Sequence, residues 1–153
     1  MNWDLIFSLT NAVAMLGWVM LAVLPRKPVI LSSVLYLGVG LLCLAYFAMF
    51  VAFMVGPAEV TRLPGSPEPN LPEYSVDGIR VLFLSDGGIV TGWTHYLAFD
   101  LFVGLWIARD ADARGVGRLA QLPFLVATLM AGPVGLLSWL AYRGWRPLKT
   151  QDV

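Results

Sequence analysis

Two ionisable side chains, His95 and Asp100, interrupt an otherwise apolar stretch that reads Gly92-Trp93-Thr94-His95-Tyr96-Leu97-Ala98-Phe99-Asp100-Leu101-Phe102-Val103-Gly104. An aspartate midway along a membrane-crossing helix costs about 2.5–3.5 kcal/mol on insertion scales, so it must face protein or water. Such a carboxyl either locks helices together by hydrogen bonding or serves a substrate as a general acid. Histidine is the side chain suited to moving protons near neutral pH, although His95 could instead bond to Thr91 one turn earlier, or to water. At 3.6 residues per turn the two side chains point about 140° apart, so no direct His95–Asp100 dyad is expected within the helix.

Helical geometry puts Trp93, Tyr96 and Gly104 on the side of Asp100. Asn11, inside the first apolar run, needs a partner there, and residues of its kind commonly join helices. Asp100 and His95 are the candidate catalytic residues, and Trp93, Tyr96, Phe99, Gly104 and Asn11 the candidate walls of a substrate slot. No metal site is expected, because one histidine with scattered carboxylates gives no H-E-x-x-H or Cys/His spacing. Cys43 lies alone in an apolar run and reads as a small core residue. No G-x-x-x-x-G-K loop occurs, and a charged channel ring would require several copies of the chain, so a homo-oligomer stays open.

The elements that must position these residues follow from composition. Of the 153 residues, 58% are hydrophobic and 13% charged, against about 45–50% and 25% in soluble domains. That is a membrane composition, in a chain of single-domain length. Ten basic residues balance ten acidic ones, so nucleic acid is excluded as a natural partner, and membrane lipids surround the chain. Four stretches can span about 30 Å of hydrocarbon: 5–24, 29–55, 89–108 and 119–142. Lipid satisfies no backbone polar groups, and none of the four alternates like a barrel strand, so they predict an all-α bundle of four transmembrane helices. Pro25-Arg26-Lys27-Pro28 can join only antiparallel neighbours.

Residues 56–88 are the one sizeable extramembrane loop, whose prolines between Pro57 and Pro72 exclude regular structure. From Ser75 onward, Val76, Ile79, Leu82 and Phe83 recur at helical spacing and predict a short interfacial helix before the third span. In the last span, Gly132-Pro133 predicts a kink where Pro133 frees the Leu129 carbonyl. An even number of crossings would put both termini on one side. The weight of the first helix would make the Arg26-Lys27 loop cytoplasmic. Asp4 is the only charge ahead of the first apolar run, so that run reads as a retained helix; with no transit peptide, a bacterial inner membrane is the expected location.

The motif Trp93-Thr94-His95-Tyr96-Leu97-Ala98-Phe99-Asp100-Leu101-Phe102-Val103-Gly104, followed by Trp106-Ile107-Ala108-Arg109-Asp110, resembles the signature of the abscisic-acid-deficient-four-like family of small membrane proteins. Pro123 and Gly132-Pro133-Val134-Gly135-Leu136-Leu137 resemble its second signature, and the likeness covers essentially the whole chain. Plant members are linked to formation of neoxanthin, an allenic xanthophyll, from the epoxide violaxanthin. The resemblance therefore implies a carotenoid-acting isomerase without a cofactor, with Asp100 as acid, His95 as base or relay, and Trp93 and Tyr96 along an apolar slot. Two other readings use the same residues: a carotenoid- or lipid-binding assembly factor, and a proton-coupled transporter built on Asp100.

Overall fold

A computed structural model describes residues 1–55 and 75–145, together with Gly65 and Pro67. Most of the proline-rich loop and the basic tail beyond Trp145 lie outside the described residues. Helix α1 (Trp3–Val23) starts where the Asn2 side chain accepts the Leu5 N–H, with Asp4 in the favourable first turn. Helices α2 (Pro28–Ser33) and α3 (Leu41–Val55) are fused by a π-helical stretch, Val34–Gly40, into one rod spanning Pro28–Val55. A short α4 (Val76–Leu82) is capped by Ser75, and α5 (Asp86–Ala113) by Ser85, each hydroxyl accepting an N–H three residues on. The last helical segment is α6 (Arg118–Arg143).

The long α5 is the axis of the molecule. It lies parallel to α1, with small residues letting the backbones approach: a Cβ added to Gly17 would lie 2.6 Å from Leu101, and one added to Gly104 would lie 2.4 Å from Trp18. The Pro28–Val55 rod runs antiparallel to it, from Phe53 against Gly87 to Gly38 against Leu101. Leu21, Leu42, Leu101, Leu105, Ile107 and Trp139 form the fully buried centre.

Three helices are long and apolar enough to cross a membrane: Trp3–Val23, Pro28–Val55 and Arg118–Arg143. The α5 helix is less apolar, with Thr91, Thr94, His95 and Asp100 inside its central stretch, and is not among them, yet it runs the full length of its neighbours. The contacts of α6 depart from the straight span expected there. At Ala131 the backbone leaves the helical region (φ −157°, ψ 65°), directly before Gly132-Pro133. Phe124, near the start of α6, packs on Trp139 and Tyr142 near its end, at ring-centroid distances of 5.3 and 5.1 Å. In a straight helix residues 124 and 139 would stand about 22 Å apart. A Cβ on Gly135 would lie 2.5 Å from the Cα of Thr128. The segment therefore doubles back as a hairpin with arms 118–130 and 132–143.

Both ends of that hairpin return to one end of α5. Gln121 donates to Asp112 at 2.9 Å, and Trp139 and Arg143 donate to Asp110 at 3.0 and 3.2 Å. The expected kink at Pro133 is thus a reversal, because a missing N–H and two missing side-chain carbons (Gly132, Gly135) fall where the chain already departs from helix. Among the described residues the fold is three full-length rods and one helical hairpin, with Trp3 packed against Gly87 at one end of α5 and Arg143 bonded to Asp110 at the other.

A polar latch closes the end where the hairpin opens. The buried Arg26 guanidinium donates to the Ala108 carbonyl at the end of α5 and to Asp112, both at 3.0 Å, and to Gln121, placing a cation at a helix C-terminus. Beyond the apolar part of α5, burial pushes the Asp110 carboxyl up, but hydrogen bonds from Arg114 and Trp139 and the charges of Arg143 and Arg114 together hold it below the usual range.

Two outcomes follow. Topology reporters placed ahead of Met1 and after Trp145 are expected on opposite faces of the membrane, with the Arg26, Arg109, Arg114, Arg118 and Arg143 end cytoplasmic. Because the fold favours ionised Asp110, its stabilising contribution is complete above the ordinary carboxylate pKa of about 3.9 and is lost as pH falls through the lower folded value. Thermal melts in detergent should show that acid loss diminished in Asp110→Asn.

Candidate functional site

The two ionisable residues of the signature stretch face different neighbours, as their spacing predicts. Asp100, 7% exposed, points at the tip of the α6 hairpin. A Cβ on Gly132 would fall 2.0 Å from Asp100 Oδ1, so only glycine leaves room for the carboxyl. The Tyr96 side chain hydrogen-bonds to Asp100, and its hydroxyl accepts the Gly132 N–H at 3.4 Å. Asp100 Oδ2 has no partner among the described residues. Trp93 stacks on Tyr96 at 5.6 Å and donates its Nε1–H to Asn11 Oδ1 at 3.1 Å. Asn11 thereby finds the interhelical partner its position demands, and Asn11, Trp93, Tyr96 and Asp100 form one polar string down this face of α5.

His95 lies on the other face. Its ring stacks on Phe99 at 4.6 Å and meets Tyr46 of α3 at 5.4 Å. Thr91 is not bonded to it: that hydroxyl donates to Met49 Sδ at 3.7 Å. Three adjoining cavities of about 440, 250 and 280 Å³ follow the seam between α5 and the Pro28–Val55 rod. The first and second share Cys43 and Phe99, and the second and third share Tyr46 and His95, so together they make one groove. The largest opens against the π-helical turn, where Tyr36, Val39 and Gly40 form its wall. Such widened turns are rare and recur at functional sites.

Several expectations shift accordingly. Phe99, a candidate wall, lines the groove beside His95, whereas Trp93 and Tyr96 stand on the Asp100 face. Gly104 is filled by the Trp18 indole and offers no wall to a ligand. Cys43 is exposed on the groove and is not a core residue. Tyr46 and Phe83, absent from the sequence-derived site, line the groove; the signal for Tyr46 was a tyrosine set deep inside an apolar run. Among the described residues no group of three His, Cys, Asp or Glu side chains could hold a metal ion.

The model of a family described as ABA DEFICIENT 4-like matches residues 5–139. No curated protein and no solved structure matches the chain.

Gly132→Ala is expected to destabilise by about 1–3 kcal/mol, the cost of overpacking a close contact, and to lower the melting midpoint in detergent. Gly144→Ala, whose added carbon would meet nothing closer than 3.5 Å, should leave it unchanged.

Proposed function

We propose that this chain, a member of the ABA DEFICIENT 4-like family, binds a long isoprenoid of the carotenoid class in the groove beside α5 and isomerises it by proton transfer at His95. The observation that carries this reading is a basic side chain set in a largely apolar seam, with the Tyr46 ring beside it. Elongated apolar cavities with few, convergent polar groups are the usual form of a site for an apolar ligand. The family resemblance supplies the reaction type, epoxide to allenic alcohol. A base takes a carbon-bound proton, the oxirane C–O bond opens as the new double bond forms, and the oxygen takes up a proton. Atoms and electrons balance within the substrate, so no redox partner enters.

In this reading His95 removes the carbon-bound proton and the Tyr46 hydroxyl supplies one to oxygen. Asp100 keeps the hairpin seated from the other face of α5. A purely binding role needs the same groove without proton transfer. Cells making epoxy-carotenoids, compared with and without the gene, distinguish the two by the absorption and mass of their pigments. Wild type is expected to yield an isomer of unchanged mass. His95→Phe should slow conversion by about 10²–10⁴, the usual share of general acid–base catalysis, while still co-purifying with pigment. Full conversion by His95→Phe would remove the assignment, and stoichiometric unchanged pigment on wild type would favour binding alone.

A further inference from the structure

The groove is not uniform along its length. Toward the π-helical turn its walls are Leu35, Tyr36, Val39, Cys43, Ala98 and Phe102, which present almost only carbon to the cavity. At the other end three hydrogen-bonding side chains, Thr91, His95 and Tyr46, face the same space. Among the described residues the Thr91 hydroxyl has only the weak thioether acceptor of Met49, at 3.7 Å. The described contacts of His95 and Tyr46 are ring contacts, leaving their polar atoms available. Hydrocarbon offers no water to such groups, and leaving them unmatched is costly.

The same end is closed by a fixed roof. A Cβ on Gly92 would lie 2.7 Å from the Phe83 ring, so Phe83 rests directly on α5. A Cβ on Gly88 would lie 1.9 Å from the Leu82 carbonyl oxygen. The Ser85 hydroxyl ties the junction by donating to Leu82 O and accepting from Gly88 N, both at 3.0 Å. From Gly88 to Phe102 the groove follows about 21 Å of helix.

We infer that the groove is read from one end: an oxygen-bearing end group of the isoprenoid lodges under Phe83 beside Thr91, His95 and Tyr46, and the hydrocarbon chain runs toward the π-helical turn. This rests on the proposed function and adds the ligand's direction and the residues that select its end group. Phe83 sets how large that end group can be. Thr91 and Tyr46 favour an oxygenated one over bare hydrocarbon.

The test uses the full chain in lipid nanodiscs and two probes on one C40 carotenoid skeleton, the unsubstituted hydrocarbon and its ring-dihydroxylated counterpart, with bound pigment read by absorbance. Wild type should hold the hydroxylated probe about tenfold more tightly, the worth of one or two matched hydrogen bonds. Thr91→Val with Tyr46→Phe should bring the two within about twofold by weakening the hydroxylated probe alone, so retained hydrocarbon binding reports an intact fold. Phe83→Ala, on the roof and outside the buried core, should independently admit a probe with a bulkier end group that wild type rejects. Equal binding of both probes by wild type, or tenfold preference surviving in the double variant, would overturn the end-group inference and leave the groove reading standing. Binding of neither probe would overturn the groove reading itself.

Discussion

A carboxyl group in the middle of the hydrocarbon layer must be sheltered by protein, and the way Asp100 is sheltered shapes the rest of this molecule. Its cover comes from the tip of a helical hairpin, where Gly132 has no side chain to exclude the carboxyl and Tyr96 bonds to both Asp100 and the Gly132 backbone. Irregular backbone at membrane depth is tolerated only when buried in protein. The reversal at Ala131 and the carboxyl of Asp100 are therefore two costly features that cover each other.

That arrangement divides α5 into two working faces. One holds the polar string from Asn11 through Trp93 and Tyr96 to Asp100 and binds α5 to α1 and α6. The other carries His95 and Phe99 against the Pro28–Val55 rod and leaves a groove between them. A ligand site and an assembly lock can share one helix because residues five apart do not face the same neighbour. The groove side chains are thereby separate from the group that seats the hairpin. A substitution on either face can then be read for its own effect.

Much of this was legible in the residues. The membrane composition, the all-α character, the short helix after Ser75, the need of Asp100 for protein cover and its divergence from His95 all follow from spacing and residue type. The hairpin was not. An apolar run of 24 residues, 119–142, satisfies the length rule for a crossing whether it goes through the bilayer or turns back. Gly132-Pro133 is equally compatible with a kink. What distinguishes them is tertiary: Phe124 meeting Trp139 and Tyr142, and both arms reaching α5. That Gly104 offers no wall was not legible, for a related reason. Helical phase tells which residues share a face, but not whether a neighbouring side chain such as Trp18 already fills it.

The hairpin also resolves a balance of charge that sequence alone leaves even. If the last segment crossed the bilayer, Arg143 would stand opposite Arg26, and the basic residues would divide between the two sides. Doubled back, the segment brings Arg143 to Asp110, beside Arg114 and the Arg26 latch. Among the described residues only Arg80 then remains at the far end. A bias of that kind is what orients helical membrane proteins, and here the turn that shelters Asp100 also gathers the described basic residues at one end of α5. The roofed end of the groove, where Phe83 rests on Gly92, therefore lies at the end of α5 away from the basic cluster, so the charged latch and the polar groove residues occupy opposite ends of the same helix.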